Sequence, residues 1–150
     1  MSRIVVTGIG VISAIGNNVF QNHDSLKSSK TGIGKSQFLD SKYAQNLLFG
    51  EVKLSNEELR NALQLADSRG ISRTGLLAIT AWKEAISTAG LSHEQIKDFE
   101  TAFLSATTVG GMVEMEAIHA DANTNTEPSE FANSYRSGAH TLRITKEFGL

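Results

Sequence analysis

The pattern of apolar and polar positions predicts strands that alternate with helices. The β-branched run at residues 4–7 ends at Gly8 and Gly10, which predicts a buried first strand that leaves its sheet through a flexible turn. A second apolar run, at residues 101–107, predicts another core strand and leads to Gly110-Gly111. The order strand, helix, strand, helix indicates an α/β fold with a mixed, mostly parallel sheet.

The strongest helical periodicity covers residues 72–89, where apolar side chains recur every three or four positions. This segment is expected to form a largely buried helix, and Gly90 suits the left-handed residue that follows such a helix. Ser92 and Gln95 match a capping box at the start of a short helix. Further helices are predicted at residues 19–30, 56–65, 112–118 and 131–148, with a loop at 123–129.

Composition narrows the classes of function that fit. A chain of 150 residues that is 40% hydrophobic is expected to form one domain with its own core. The formal charge of −2, with the 14 Lys and Arg residues dispersed, argues against binding of nucleic acid or an anionic membrane. No window approaches the roughly 20 apolar residues of a membrane span, so a cytoplasmic protein is expected. The chain has no cysteine, and therefore no disulfide, thiolate metal site or cysteine nucleophile within these residues.

Two motifs suggest chemistry that the rest of the pattern does not support. Gly8 and Gly10 are typical of a dinucleotide-binding turn, but Ser13 occupies the third glycine position and no acidic residue ends a second strand about 20 residues later. Glu116 and His119 have the i, i+3 spacing of a carboxylate–histidine metal pair, but the chain is not the helical bundle that such sites need. Nucleotide binding and a metal site are therefore the less favoured interpretations.

Nucleophilic catalysis also lacks a recognisable motif. The histidines are scattered among different elements, and no serine stands in a G-x-S-x-G elbow. Gly110 and Gly111 can present unshielded backbone N–H groups to an anion or a thioester oxygen. From chemistry alone, a close contact between a helix and a strand is the favoured explanation of these two glycines.

Four separated motifs, in the right order, resemble those of β-ketoacyl-acyl-carrier-protein synthases. Residues 3–17 are similar to the family's opening VVVTGxGxxSPxGN, with Ala14 in place of the usual proline. The other three segments are residues 26–33 (LxxGxSGI in the family), 72–91 (DRxxxxALxAAxxALxDAGL) and 107–111 (GxGIGG). The final Phe148-Gly149-Leu150 is similar to the FGLxGP that precedes the family's nucleophile strand.

The resemblance implies a fold and an activity. Residues 1–150 are expected to form the N-terminal part of a thiolase-like fold, incomplete in this chain, with an exposed edge strand and apolar face. The implied reaction is decarboxylative Claisen condensation, in which a cysteine takes an acyl group and two histidines assist decarboxylation. All three residues are expected beyond Leu150, so no catalytic residue is assigned here and the chain alone is expected to be inactive. No cofactor or metal is implied.

The resemblance also implies a supporting site. Val109 matches a position that lines the acyl pocket near the dimer interface, and Thr108, Gly110 and Gly111 belong to the same substrate-binding segment. Arg69 matches a basic residue that contacts the acidic carrier protein, although Gly70 replaces a frequent lysine. The implied partners are acyl carrier protein, with its phosphopantetheine-linked acyl and malonyl groups, and a second subunit in a homodimer. The alternative is a non-catalytic interaction or dimerisation module.

Overall fold

The computed structural model describes residues 3–65, 67–124 and 127–150. They form two compact units, Met1–Leu59 with Thr80–Leu91 and Arg60–Ile79 with Ser92–Leu150. The elements, in chain order, are α1 (Val19–Lys27), β1 (Ile33–Gly34), β2 (Phe49–Gly50), α2 (Asn56–Leu63), α3 (Arg73–Ala89), α4 (His93–Lys97), a 3-10 helix (Met112–Glu114), α5 (Met115–Thr124) and α6 (Ala139–Phe148).

In the first unit, short-range hydrogen bonds shape the chain around α1. The Asn18 side chain accepts the Gln21 N–H and caps the helix at its start. The helix ends at Lys27, earlier than predicted, because Ser29 has a φ of 54° and the Lys30 N–H turns back to a carbonyl in the last turn. The strands β1 and β2 pair antiparallel over two residues each.

In the second unit, the start of α3 lies among the most buried side chains. Ser72 Oγ accepts the Gly75 N–H at 3.2 Å and caps the helix, and the predicted helix at 72–89 is confirmed. Gly90 has the expected left-handed φ of 68°, and Ser92 and Gln95 form the predicted capping box. Among the described residues of this unit, the buried apolar side chains are Leu63, Ile71, Leu76, Ile79, Ile96 and Ile144.

The two predicted core strands do not form within the described residues. Residues 4–7 and 101–107 do not pair as strands, and Ile4 and Leu104 are 100% and 90% exposed. The prediction that these two segments are buried, paired strands is therefore wrong. A strand in a sheet requires backbone hydrogen bonds from a neighbouring strand, and among the described residues these segments do not make them. In the described part of the chain, such pairing is confined to β1–β2 and a bridge between Ser13 and Gly16. The exposed apolar side chains match the expected uncovered face.

The predicted helix at 131–148 is only partly correct. Residues 131–138 form turns, in which the Ser134 N–H donates to the Phe131 carbonyl, and α6 begins at Ala139. Gly149 ends α6 with the expected positive φ, of 67°. Helix α5 reaches Thr124, two residues into the loop predicted at 123–129, of which residues 125–126 lie outside the described residues.

Within the described ranges, no helix has both the length and the apolar character needed to cross a bilayer.

Candidate functional site

The candidate site is the turn at residues 107–111 in the second unit. Thr107 Oγ1 accepts the backbone N–H groups of Val109 and Gly110, at 3.3 and 3.0 Å. Thr74 Oγ1, from the first turn of α3, donates to the Gly110 carbonyl at 2.8 Å. Gly110 has a φ of 59°, a conformation that favours glycine. The turn is therefore fixed by hydrogen bonds on both sides of its glycine.

Close backbone contacts account for both glycines of this turn. A Cβ atom added at Gly110 would lie 2.6 Å from Ser137 Cα, and one at Gly111 would overlap the Ser134 carbonyl. The neighbour is thus the loop that precedes α6, rather than the strand suggested by the sequence. Because the Gly110 N–H donates to Thr107, that donor is already engaged within the chain. The Gly110 N–H is therefore one donor fewer for an anion bound at this turn.

The turn presents apolar side chains to solvent. Val109 is 49% exposed, and Met112 and Val113 at the start of the 3-10 helix are exposed further. Thr108 is exposed beside them. Such a surface can contact an apolar group without burying an unpaired polar atom.

Glu114, which ends the 3-10 helix, is a carboxylate in a partly buried position. Burial raises the pKa of Glu114, while the Arg73 backbone N–H and the nearby Arg60 charge act in the opposite direction. Glu130 adds a like charge that raises the pKa further. The Glu114 carboxylate thus accepts a hydrogen bond at the N-terminus of α3, where negative charge is favoured.

Arg69 lies on an exposed loop of the same unit. Its Nε is 3.2 Å from an Asp67 carboxylate oxygen. Hydrogen bonds from the Arg69 backbone and side chain lower the pKa of Asp67, and Asp67 raises the pKa of Arg69. Gly70 has a φ of 61°, and an added Cβ would overlap the Glu130 carbonyl. A lysine therefore does not fit at Gly70 in this conformation.

The Gly8-x-Gly10 turn, in the first unit, packs against the last turns of α3. The Ile9 N–H donates to Thr88 Oγ1 at 3.0 Å, and Thr88 Oγ1 donates back to the Ile9 carbonyl at 2.8 Å. A Cβ added at Gly10 would overlap the Ala81 carbonyl. The space that a pyrophosphate occupies in a dinucleotide-binding turn is thus filled by a helix.

The remaining candidates have different outcomes. Glu116 and His119 are exposed on α5, and the described ranges contain no group of three His, Cys, Asp or Glu side chains placed to hold a metal. The sequence predicted no nucleophile with a base, but Ser105 and His140 lie within hydrogen-bond distance. These two residues are 35 positions apart and share no motif, so only the fold reveals the pair.

A family model described as "Beta-ketoacyl synthase, N-terminal domain" matches residues 1–150. The chain belongs to the β-ketoacyl synthase family. Curated relatives of this β-ketoacyl synthase chain include 3-oxoacyl-(acyl-carrier-protein) synthase 1 of Escherichia coli strain K12, which is 33% identical over 122 residues. That alignment covers 81% of this chain and 29% of the relative. Synthase 2 of Staphylococcus aureus strain COL is 28% identical over 117 residues, which are 78% of this chain and 28% of the relative. Each alignment thus spans less than a third of the relative's length.

A solved structure confirms the fold class. The chain matches the structure titled "The ishigamide ketosynthase/chain length factor" with a TM-score of 0.80 and 22% identity. The match covers 96% of this chain and 36% of that structure. The backbone thus follows part of a thiolase-like α/β fold, although the segments 4–7 and 101–107 have no partner strands among the described residues.

Proposed function

We propose that this chain is the N-terminal portion of a 3-oxoacyl-acyl-carrier-protein synthase that serves fatty acid or polyketide synthesis. The observation that carries the proposal is the family match over residues 1–150. The 33% identity to the Escherichia coli synthase supports it. The reaction would join an acyl thioester to malonyl-acyl-carrier protein by decarboxylative Claisen condensation, in the cytoplasm.

In this proposal the chain supports the chemistry rather than performing it. The condensation needs a thiolate that attacks the acyl thioester and later leaves, because sulfur is both a good nucleophile and a good leaving group. The proposal places none of the three catalytic residues among these 150. They are the cysteine and the two histidines that assist loss of carbon dioxide from the malonyl group. The chain by itself would therefore bind substrate and partners without turnover.

Val109, with Thr108, Gly110 and Gly111, is proposed as part of the wall of the acyl pocket. The support is the fixed turn and the half-exposed Val109 side chain. A branched aliphatic residue of this size leaves more room for an acyl chain than a phenylalanine does, so products of medium or long chain length are expected.

Arg69 is proposed as a contact for the acidic carrier protein that bears the phosphopantetheine-linked substrates. Its guanidinium is exposed, and a positive charge at the surface steers an acidic partner toward it. Asp67 partly offsets this charge. A second copy of the subunit, forming a homodimer, is proposed as the other partner.

The test uses the intact natural protein with acyl-carrier and malonyl-carrier substrates, and measures the length of the products. Val109→Phe is expected to shorten the products, whereas Val109→Ile, which stays aliphatic, should leave them unchanged. Arg69→Glu should raise the KM for carrier protein with little change in kcat. Unaltered product length in Val109→Phe would show that Val109 does not line the acyl pocket. Absence of condensation by the intact protein would contradict the proposed function itself.

A non-catalytic ketosynthase-like interaction or dimerisation module is the second candidate. The exposed apolar side chains of residues 4–6, together with Met112 and Val113, favour it. A stable dimer or complex of the intact protein, with no condensation and no acyl-enzyme, would select this function. The mass of the intact natural protein distinguishes the two candidates most directly.

A further inference from the structure

A serine and a histidine meet in the second unit at a distance that suits proton transfer. Ser105 Oγ lies 2.6 Å from His140 Nε2. Ser105 belongs to the exposed segment 101–107, whereas His140 is only 6% exposed, near the start of α6. The hydrogen bond thus joins an exposed residue to a buried one and is itself partly buried.

The second ring nitrogen of His140 is also placed by the fold. His140 Nδ1 lies 2.9 Å from the Ser137 carbonyl oxygen. A carbonyl only accepts hydrogen bonds, so Nδ1 carries the hydrogen and donates it. In the neutral ring, Nε2 then holds the lone pair.

That lone pair faces Ser105 rather than a competing donor. Among the described residues, the Thr141 side chain also comes near Nε2, but its Oγ1 is 3.5 Å away and too distant for a strong hydrogen bond. The Ser105 hydroxyl therefore donates to Nε2. A nucleophile within reach of a base, with the base oriented by a third group, is the arrangement that activates serine in acyl transfer.

We propose that Ser105 and His140 form a nucleophilic centre at which Ser105 accepts an acyl group from an acyl thioester. This centre is separate from the turn at 107–111, and it does not depend on the proposed ketosynthase function. In the reaction, Ser105 Oγ bonds to the carbonyl carbon while its proton passes to His140 Nε2. The bond from that carbon to sulfur then breaks, and the thiolate takes the proton from His140. The products are a serine ester and a thiol.

Acylation is expected to be stoichiometric rather than catalytic. The pair supplies the attacking oxygen and the base, while the third group is a carbonyl and not the carboxylate of a full triad. A carbonyl orients the ring but stabilises the imidazolium less. The ester should therefore accumulate, and it can be found by mass spectrometry.

The test treats the full chain with p-nitrophenyl acetate, an activated ester in place of the thioester, and maps acetylated peptides. Ser105 should acquire the acetyl group well before Ser87, an exposed serine on α3. This comparison is made within one protein and needs no variant. Equal labelling of Ser105 and Ser87 would overturn the proposal.

Variants then test the role of His140. His140→Asn keeps a donor for the Ser137 carbonyl but removes the base, and it should slow acetylation of Ser105 on the order of 100-fold. Thr141→Val, a matched control beside the same ring, should leave the rate unchanged. Thermal unfolding of each variant checks that it is folded. Acetylation of Ser105 at the wild-type rate in a folded His140→Asn protein would show that His140 is not its base.

Discussion

The turn at residues 8–10 and the turn at residues 107–111 have related sequences but different surroundings. Each follows a run with apolar residues and contains two glycines. At the first turn, the glycines lie against helix α3, with Gly8 near Ala89 and Gly10 near Ala81. At the second, Gly110 and Gly111 lie against a loop, and Val109 remains half-exposed.

The turn at residues 8–10 is structural, whereas the turn at residues 107–111 can also contribute to a binding site. In the first turn, the N–H groups of Ile9 and Val11 donate to side chains of α3, Thr88 and Glu84. In the second, the N–H groups of Val109 and Gly110 both donate to Thr107, within the turn itself. A turn that satisfies its own donors can leave its side chains free to contact a ligand.

The largest expected effect comes from Gly10→Ala in the first turn. The new methyl group would overlap the Ala81 carbonyl and lie 2.6 Å from Ala85 N, and a helix backbone yields little. We expect the free energy of unfolding to fall by about 3 kcal/mol, measured by urea denaturation. Gly34→Ala in the same unit, where nothing lies within 4 Å, is the control. Equal losses in both variants would contradict the close packing described for Gly10.

Gly111→Ala tests the second turn and should cost less. Its methyl group would overlap Ser134 O and lie 2.8 Å from Tyr135 Cα, but a loop backbone yields more readily than a helix backbone. A loss of about 2 kcal/mol is expected in the same denaturation experiment. The matched control is Gly138→Ala, which has open space around its added Cβ. If Gly111→Ala proves as costly as Gly10→Ala, the loop is as rigid as the helix.

Glu84→Gln tests the hydrogen bonds that hold the segment around the first turn against α3. The two Glu84 carboxylate oxygens accept the N–H groups of Val11 and Val19, at 2.9 and 2.7 Å. A glutamine has one acceptor oxygen and would turn an NH2 group toward the second donor. We expect a loss of about 1.5 kcal/mol in the free energy of unfolding. Glu100→Gln, at an exposed position, should change it little, and a similarly small change for Glu84→Gln would show that water replaces the carboxylate.

Local patterns predicted the helices well, because their signals lie in neighbouring residues. The periodicity of α3, the capping box at Ser92 and the left-handed Gly90 each depend on a few adjacent positions. The strands at 4–7 and 101–107 require partners from elsewhere, and their sequence alone does not say whether those partners are present. The early turns at residues 131–138 reflect the backbone contacts with Gly110 and Gly111, which no local pattern encodes.

The candidate site was predictable only where it coincided with a motif. Val109, Gly110 and Gly111 were found through resemblance, whereas the pairing of Ser105 with His140 depends on how two distant segments meet. The conformation of Gly70 is a similar case. Its glycine identity is visible in the sequence, but the overlap with the Glu130 backbone that requires it is visible only in the fold.

The smallest effect concerns the pH dependence that Glu114 gives to the second turn. Burial raises the pKa of Glu114 in the folded chain above its ordinary value of 4.5. Between the unfolded and folded values, the folded state therefore holds more proton than the unfolded state, and stability falls as the pH rises through that window. The penalty is small because much of the side chain remains in contact with water.

Glu114→Gln should remove this pH dependence, since an amide does not titrate. The melting temperature of the variant minus that of the wild-type chain is expected to increase from pH 4 to pH 7. The control Glu116→Gln, at an exposed site on α5, should show no such trend. The opposite slope would mean that the hydrogen bond from the Arg73 backbone and the charge of Arg60 outweigh burial. In that case Glu114 would be a charged cap of α3, and the second turn would be anchored by a carboxylate in the same way as Glu84 anchors the first.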